Sequence, residues 1–492
     1  MERKKYLTAF LLLFSFQTFL LAQSIQYSAF PQHLQLYPRD ASDSATVPIS
    51  GLVTTPGQDS ILLTVYQNNL YWQRQAHKLI YSKGQAFFDF ETRIPAETIE
   101  FKFEIALASK GITRTHTTAD SIVCGDIYLV SGQSNAIPQG NAPYGYRNEY
   151  CRSFGKITIH ASYDPADTLW GLATGMGWSP GNFGVGTWAL DLMRIIKDDK
   201  GIPVAILNGA VNGSNIEFNQ PNPLDSLDLS TTYGRLLYRA QKSNIAQHAK
   251  AFIWIQGENG KSILNYAANF DTLYRAWHIN FPNLQTIYVF QIGMNQCGIK
   301  NKHILREIQR KFGDQYTDVE VLPCNGLPGF QGCHWWQPGY FKLAGWLYGI
   351  LVQDFYGDSL DIDAFPPRIK KAVYTSLTRD EIALTFEDQQ HIIWDSIHVL
   401  FRDTFFLRNY IYFDDSLTTV QKGYTSNDTL FLSLSSTSQA KHLTYLPDYS
   451  YKNLSYPYLG PFIKSLHGIT ALTFHDFPID LPPEHESKGS NK

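Results

Sequence analysis

Asp126-Ile127-Tyr128-Leu129-Val130-Ser131-Gly132-Gln133-Ser134-Asn135 is an apolar run that ends in a glycine and continues into polar residues. A short apolar run closed by a turn signal fits a fully buried strand, and the glycine permits a tight turn after it. A serine on such a turn is presented for nucleophilic attack, with backbone N–H groups left free nearby. Whether it is used depends on what the rest of the chain places around it.

Through residues 123–358, apolar strands and helical stretches alternate. Strands are expected at 127–130, 204–208, 252–255, 287–292 and 319–323. Helices are expected between them at 187–197, 233–245, 263–279 and 302–312, where apolar residues recur at three- and four-residue spacing. A last helix opens at Pro338, a residue suited to a first helical turn, and runs to about 355. Regular alternation of this kind predicts an α/β fold with a parallel sheet covered on both faces, where sites form at the carboxyl ends of the strands.

The flanks read differently. Residues 23–122 hold short strands between turn signals, at 45–49, 61–66, 86–90 and 99–107, and suggest an N-terminal β-domain of the β-sandwich kind, as is expected at the C-terminal end also. The pattern returns in a C-terminal β-domain at 365–481, with strands expected at 382–386, 392–397, 405–413, 429–434 and 470–474. Residues 482–492 read as a disordered tail. At the other end, Met1-Glu2-Arg3-Lys4-Lys5 precedes an apolar run ending at Leu21-Ala22, which fits a signal peptide over 1–22. The mature chain is therefore expected to be secreted or periplasmic, with no membrane span.

At 492 residues, two or three domains are expected. The net charge of −3, without a basic cluster, argues against nucleic acid as a partner. Cysteines fall at 124, 151, 297, 324 and 333 with no CxxC spacing, so a zinc site has no support. Cys324 with Cys333 is the most attractive disulfide, because it would staple the loop leading to His334; two unpaired buried thiols is the competing reading.

A serine hydroxyl needs a base, oxyanion donors and usually an acid that orients the base. His334, within Gln331-Gly332-Cys333-His334-Trp335-Trp336-Gln337-Pro338, lies on the loop before the last helix, far from Ser134 in sequence but able to fold back beside it. His278 and His303 fall in helical patterns and His248 just before a strand, where surface or structural roles fit better. Gly184-Val185-Gly186-Thr187 opens a helix, so its backbone N–H groups point at a ligand. Asn212-Gly213-Ser214-Asn215 and Gln256-Gly257-Glu258-Asn259 each follow a strand. Singly, each reads better as a glycine turn with a capping side chain; jointly, they outline a site. Trp254, Trp335, Trp336, Tyr144 and Tyr146 lie near these motifs, where they either stack on a sugar ring or pack in the core.

Gly132-Gln133-Ser134-Asn135 after a strand, Gln256-Gly257-Glu258 after a later strand and a histidine before the final helix resemble the sialate O-acetylesterase type of SGNH hydrolase, a group that includes carbohydrate acetylesterases. The resemblance covers roughly the central half of the chain. It implies a three-layer α/β/α core of the flavodoxin-like kind and hydrolysis of acetyl esters on carbohydrates, without metal or organic cofactor. By position it implies Ser134 as nucleophile and backbone oxyanion donor, His334 as base and Gly186 as a second backbone donor. Asn212 or Gln256 would supply a side-chain amide, and Glu258 would brace the site. Gln133, Asn135, Trp335 and Trp336 are assigned to substrate contact.

Family members commonly carry an Asp three residues before the histidine; here that position is Gln331. A neutral amide stabilises imidazolium less than a carboxylate does. The readings are a Ser-His dyad oriented by Gln331 or a backbone carbonyl, recruitment of Glu258 or another acid, or a weak or inactive site. The last makes the chain a carbohydrate-binding protein on a degenerate hydrolase core. A lipid or thioester hydrolase on the same core is a further alternative.

Overall fold

The computed structural model describes residues 24–138, 144–156, 163–177, 182–259, 263–294, 296–298, 302–400, 403–416, 419–451 and 458–482. The signal peptide expected at 1–22 lies outside them, as does the expected tail beyond 482.

The strand that carries the opening motif is far longer than its apolar run. β1 (Ile112–Gly132) is continuous over 21 residues. Its first part pairs antiparallel with Phe101–Ser109, its middle pairs parallel with Leu36–Pro38, and its last part lies inside a parallel sheet. The boundary expected between residues 122 and 123 thus falls within one strand. The largely polar and exposed residues of its first part pair on one β-layer, whereas from Val123 onward every residue is buried.

The other core elements follow in chain order: β2 (Cys151–Phe154), β3 (Trp170–Leu172), α1 (Thr187–Lys200), β4 (Val204–Asn208), α2 (Thr232–Lys242), β5 (Ala251–Ile255), α3 (Tyr266–Asn280), β6 (Thr286–Gln291), α4 (Lys302–Gln315), β7 (Val319–Pro323) and α5 (Gln337–Phe355). The strand order is β3-β2-β4-β1-β5-β6-β7, parallel except for β3 at the edge. β1 is central, with Leu129 paired to both Leu207 and Phe252. β2 and β3 escape the apolar pattern, since Arg152 interrupts the first. That side chain is nonetheless buried, donating to Glu100 Oε1 at 3.2 Å and the Ser121 carbonyl at 3.1 Å.

Successive side chains of a strand point to opposite faces, and β1 serves two apolar clusters accordingly. Tyr128 and Val130 pack with Trp188 and Leu192 of α1 and with Leu343 and Leu347 of α5. Ile127 and Leu129 pack with Leu237 of α2, Phe270 and Trp277 of α3, and Phe312 of α4. Each large side chain so buried contributes about 1.5–3 kcal/mol. Residues 25–124 and most of 369–479 form two further clusters of their own. Among the described residues, no helix is long and apolar enough to cross a membrane.

The C-terminal region grips the carboxyl end of β6. Gln291 is fully buried; its Nε2 donates to the Thr473 carbonyl and its Oε1 accepts from the Thr473 N–H, both at 2.9 Å. Residues 470–474, expected as a strand, form only an isolated bridge from Thr470 to Lys464: both backbone groups of Thr473 bind the Gln291 side chain, and the Leu472 N–H bonds the Pro367 carbonyl. Arg306 of α4, also buried, donates to Asp448 Oδ1 at 2.7 Å and Thr473 Oγ1 at 2.9 Å.

Candidate active site

The turn after β1 is set by Gly132. Its φ is 134°, and a Cβ there would lie 2.0 Å from the Ile255 carbonyl oxygen, so only glycine lets the ends of β1 and β5 approach this closely. The Gln133 N–H then donates to that same carbonyl at 3.0 Å. The Ala136 N–H bonds the Gln133 carbonyl at 2.8 Å and completes the turn that carries Ser134.

Across from it stands His334. A two-residue turn, Gly332-Cys333, is closed by the Gln331 N–H on the His334 carbonyl at 2.8 Å, with Gly332 at φ 86°. Phe330 and Trp335 bridge just outside it. This brings His334 Nε2 to 2.8 Å from Ser134 Oγ across 200 positions of sequence. Burial holds the His334 imidazole below its ordinary pKa of 6.5, which favours the neutral ring that a general base requires. Among the described residues, the N–H groups of Ser134 and Gly186 donate to no hydrogen-bond acceptor. Gly186, at φ 93°, caps α1 and packs against Ile137 and Pro138, just past Ser134.

Asn135 is the hub of the site. Its Nδ2 donates to Glu258 Oε1 at 2.7 Å and to the Cys333 carbonyl at 3.0 Å. Its Oδ1 accepts from Tyr340 of α5 at 2.8 Å, and its carbonyl accepts from Trp188 Nε1 at 3.1 Å. Gln296 repeats the first pattern from the loop after β6, donating to Glu258 Oε1 at 2.7 Å and to the Cys333 carbonyl at 3.2 Å. Glu258 thus braces both amides, and both hold the peptide that precedes His334. Burial raises the Glu258 pKa. The adjacent Lys302, which donates to the Gly257 and Glu258 carbonyls, is pushed down to about 8, also by burial. Desolvation drives both groups toward their neutral forms.

Several expectations are corrected by this geometry. Gln331 does not orient the ring: its side chain is exposed and makes no hydrogen bond to His334, which it meets only through its backbone N–H. Glu258 is not that orienter either: its Oε1 accepts from Asn135 and Gln296, and its buried Oε2 meets no donor among the described residues. Gln256 offers no amide to an oxyanion. Its Nε2 faces Gln133 Oε1 at 3.1 Å and the Ser214 and Asn259 carbonyls. Gln133 and Asn135 are buried ties rather than substrate contacts; Gln133 Oε1 also accepts from the Gly257 and Asn259 N–H groups. Trp335 is 2% exposed and packs on Phe330 and Tyr340, and Trp254 lies wholly in the core. Tyr144 and Tyr146 stack on each other, and Tyr144 bonds Asp191.

Two expected residues face solvent. Trp336, 51% exposed, stands at the start of α5 beside the histidine turn. Asn212 is exposed on the 211–214 turn, whose Val211 N–H and Ser214 Oγ both bind the Gly132 carbonyl. The disulfide joins Cys297 to Cys333, while Cys324 is a buried free thiol in the apolar cluster beneath α5. Sequence reasoning missed Gln296 and Asn208. Asn208 Nδ2 donates to the Ala136 and Val185 carbonyls, each at 2.8 Å, and so locks the serine turn to the Gly186 loop. Asn208 ends β4 and Gln296 lies on the loop after β6, so position at the carboxyl edge of the sheet is the signal that could have found them.

With this geometry in place, the model of the family described as carbohydrate esterase, sialic acid-specific acetylesterase, matches residues 124–348. Residues 124–348 belong to that family. They span the sheet from β1 into α5 and include Ser134, Glu258 and His334. A carbohydrate acetylesterase from Xanthomonas citri is similar in structure over 92% of this chain and 99% of its own, with a TM-score of 0.59 at 14% identity, which shows a shared fold. A protein from Arabidopsis thaliana is similar over 47% of this chain and 99% of its own, at 20% identity and a TM-score of 0.38. An acetyl xylan esterase from the rumen bacterium Butyrivibrio proteoclasticus is similar over 63% and 90%, at 12% identity and a TM-score of 0.28. No curated protein matches the chain.

Proposed function

We propose that this protein is a serine esterase that removes O-acetyl groups from carbohydrates. The observation that carries the reading is the 2.8 Å contact between Ser134 Oγ and His334 Nε2 inside a segment of the carbohydrate esterase family. The strand order β4-β1-β5-β6-β7, with helices α1 and α5 on one face and α2, α3 and α4 on the other, supports the three-layer flavodoxin-like core of an SGNH hydrolase. The basic and apolar residues of 1–22 support export, and the Cys297–Cys333 bridge suits an oxidising compartment.

In this mechanism the Ser134 hydroxyl donates to neutral His334, which takes the proton as Oγ attacks the acetyl carbonyl. The N–H groups of Ser134 and Gly186, with the exposed Asn212 amide, stabilise the tetrahedral oxyanion. His334 then protonates the departing sugar oxygen. A water, deprotonated by the same ring, hydrolyses the acetyl-serine and restores the hydroxyl. The exposed indole of Trp336 is the stacking surface for a sugar ring.

The test is release of acetate from acetylated oligosaccharides and from 4-nitrophenyl acetate by the purified chain. Trp336→Ala is expected to raise KM for the acetylated sugar severalfold and to leave 4-nitrophenyl acetate nearly unaffected. Preference for long acyl chains would favour the lipid-hydrolase alternative and sink the carbohydrate reading.

The pH profile follows from His334. Its lowered pKa means that the ring stays neutral below the ordinary 6.5. Activity is therefore expected to be lost as pH falls, with the acid limb of kcat/KM centred below 6.5. A limb centred above 6.5 would contradict the desolvated base.

A further inference from the structure

The turn that carries His334 is tethered to the loop after β6 by three ties, at its consecutive positions Gly332 and Cys333. The Cys297 N–H donates to the Gly332 carbonyl, Gln296 Nε2 donates to the Cys333 carbonyl at 3.2 Å, and the Cys297–Cys333 disulfide closes the ring. Cys297 holds a left-handed backbone, φ 59°, which is costly for a residue with a Cβ and persists where its surroundings over-determine it. The loop it belongs to is rigid at its root, because Gln291 is bolted to Thr473 and Gln296 Oε1 accepts from the Gly293 N–H at 2.6 Å. The histidine turn, by contrast, is exposed at Gln331 and Gly332, and its other tie at Cys333 is the Asn135 amide on the same carbonyl.

We propose that the Cys297–Cys333 bridge, with Gln296 beside it, is a positioning element for the general base, so that ester hydrolysis depends on the oxidised state of this pair. The proposal rests on the Ser134–His334 reading above. The bridge fixes the residue next to His334 to the one next to Gln296, and thereby sets how far the imidazole reaches toward Ser134 Oγ. A displacement of about 1 Å in such a group costs up to about 100-fold in rate. Both cysteines are half-buried rather than sealed, so a small dithiol has access. One thiolate of the reductant attacks a bridge sulfur and displaces the other as a thiolate. The second reductant thiol then closes its own disulfide, leaving Cys297 and Cys333 as two thiols and the reductant oxidised by two electrons.

The experiment compares oxidised protein, protein treated with dithiothreitol, the C297S/C333S variant and Gln296→Met, each assayed on 4-nitrophenyl acetate alongside Ser134→Ala. Reduction and C297S/C333S are expected to lower kcat about 10- to 100-fold with KM changed less than about twofold. The acid limb should move up toward 6.5 as the ring gains water. Reoxidation should restore the reduced wild type but not the double variant, and Gln296→Met should fall between. Unchanged kcat on reduction, or a loss of rate that tracks loss of folded protein by near-ultraviolet circular dichroism, overturns the proposal. Absence of Ser134-dependent hydrolysis in the oxidised wild type overturns the esterase reading, and this one with it. Hydrolysis that persists at full rate after reduction overturns only the positioning role.

Discussion

Replacing Ser134 by alanine is expected to lower kcat on an acetyl ester by about 10⁵- to 10⁶-fold, the scale on which a serine nucleophile acts together with its base. That loss corresponds to about 7–8 kcal/mol of transition-state stabilisation. The fold should hardly notice. Among the described residues, the Ser134 hydroxyl meets only His334, and the turn is held by Gly132, the Gln133 side chain and the Ile255 carbonyl, none of which the substitution touches. Loss of one such hydrogen bond costs about 1 kcal/mol. The measurement is a Michaelis series on 4-nitrophenyl acetate with a thermal melt of the same sample. A variant that folds and keeps more than a tenth of the wild-type rate excludes Ser134 as nucleophile. Absence of hydrolysis in the wild type itself would favour the carbohydrate-binding reading of the chain.

His334→Ala is expected to cost nearly as much, about 10⁴- to 10⁶-fold in kcat, because His334 is the acceptor that the Ser134 hydroxyl meets among the described residues. Residues that act as one unit are strongly non-additive, so the Ser134→Ala/His334→Ala pair should be no slower than Ser134→Ala alone. The acid limb assigned to His334 should vanish from whatever activity remains. Losses that simply multiply in the double variant would show two independent roles and break the dyad.

Much of the core was legible before any coordinates. The strands at 204–208 and 319–323 and the starts of α1 and α4 fall where periodicity and caps place them, because those signals are local. β2 was not legible, since Arg152 breaks the apolar pattern and is excused by Glu100 and the Ser121 carbonyl, which lie elsewhere in the chain. The Ser134–His334 pair was legible as residue types at strand ends. The role of Gln331 was not, because three positions before the histidine is a two-residue turn here, and that turn points the amide into solvent. Gln256 and Gln133 read as site residues and proved to bind each other; a buried amide's partner is set by the approach of two loops, which no local pattern records.

The sequence by itself determined the alternating α/β order, the glycine that allows the serine turn and the serine and histidine that stand at the ends of the strands, all of them consequences of side-chain type and short-range spacing. Tertiary structure alone decided which groups serve them. It brought Asn135, Gln296 and Glu258 onto the Cys333 carbonyl, and it chose Cys297 over Cys324 as the partner of Cys333. The reason is geometric. The loops after β1, β5 and β6 meet the turn before α5 only because a parallel sheet gathers the carboxyl ends of its strands on one edge. Hydrogen bonds and disulfides form between whatever atoms that gathering puts within reach.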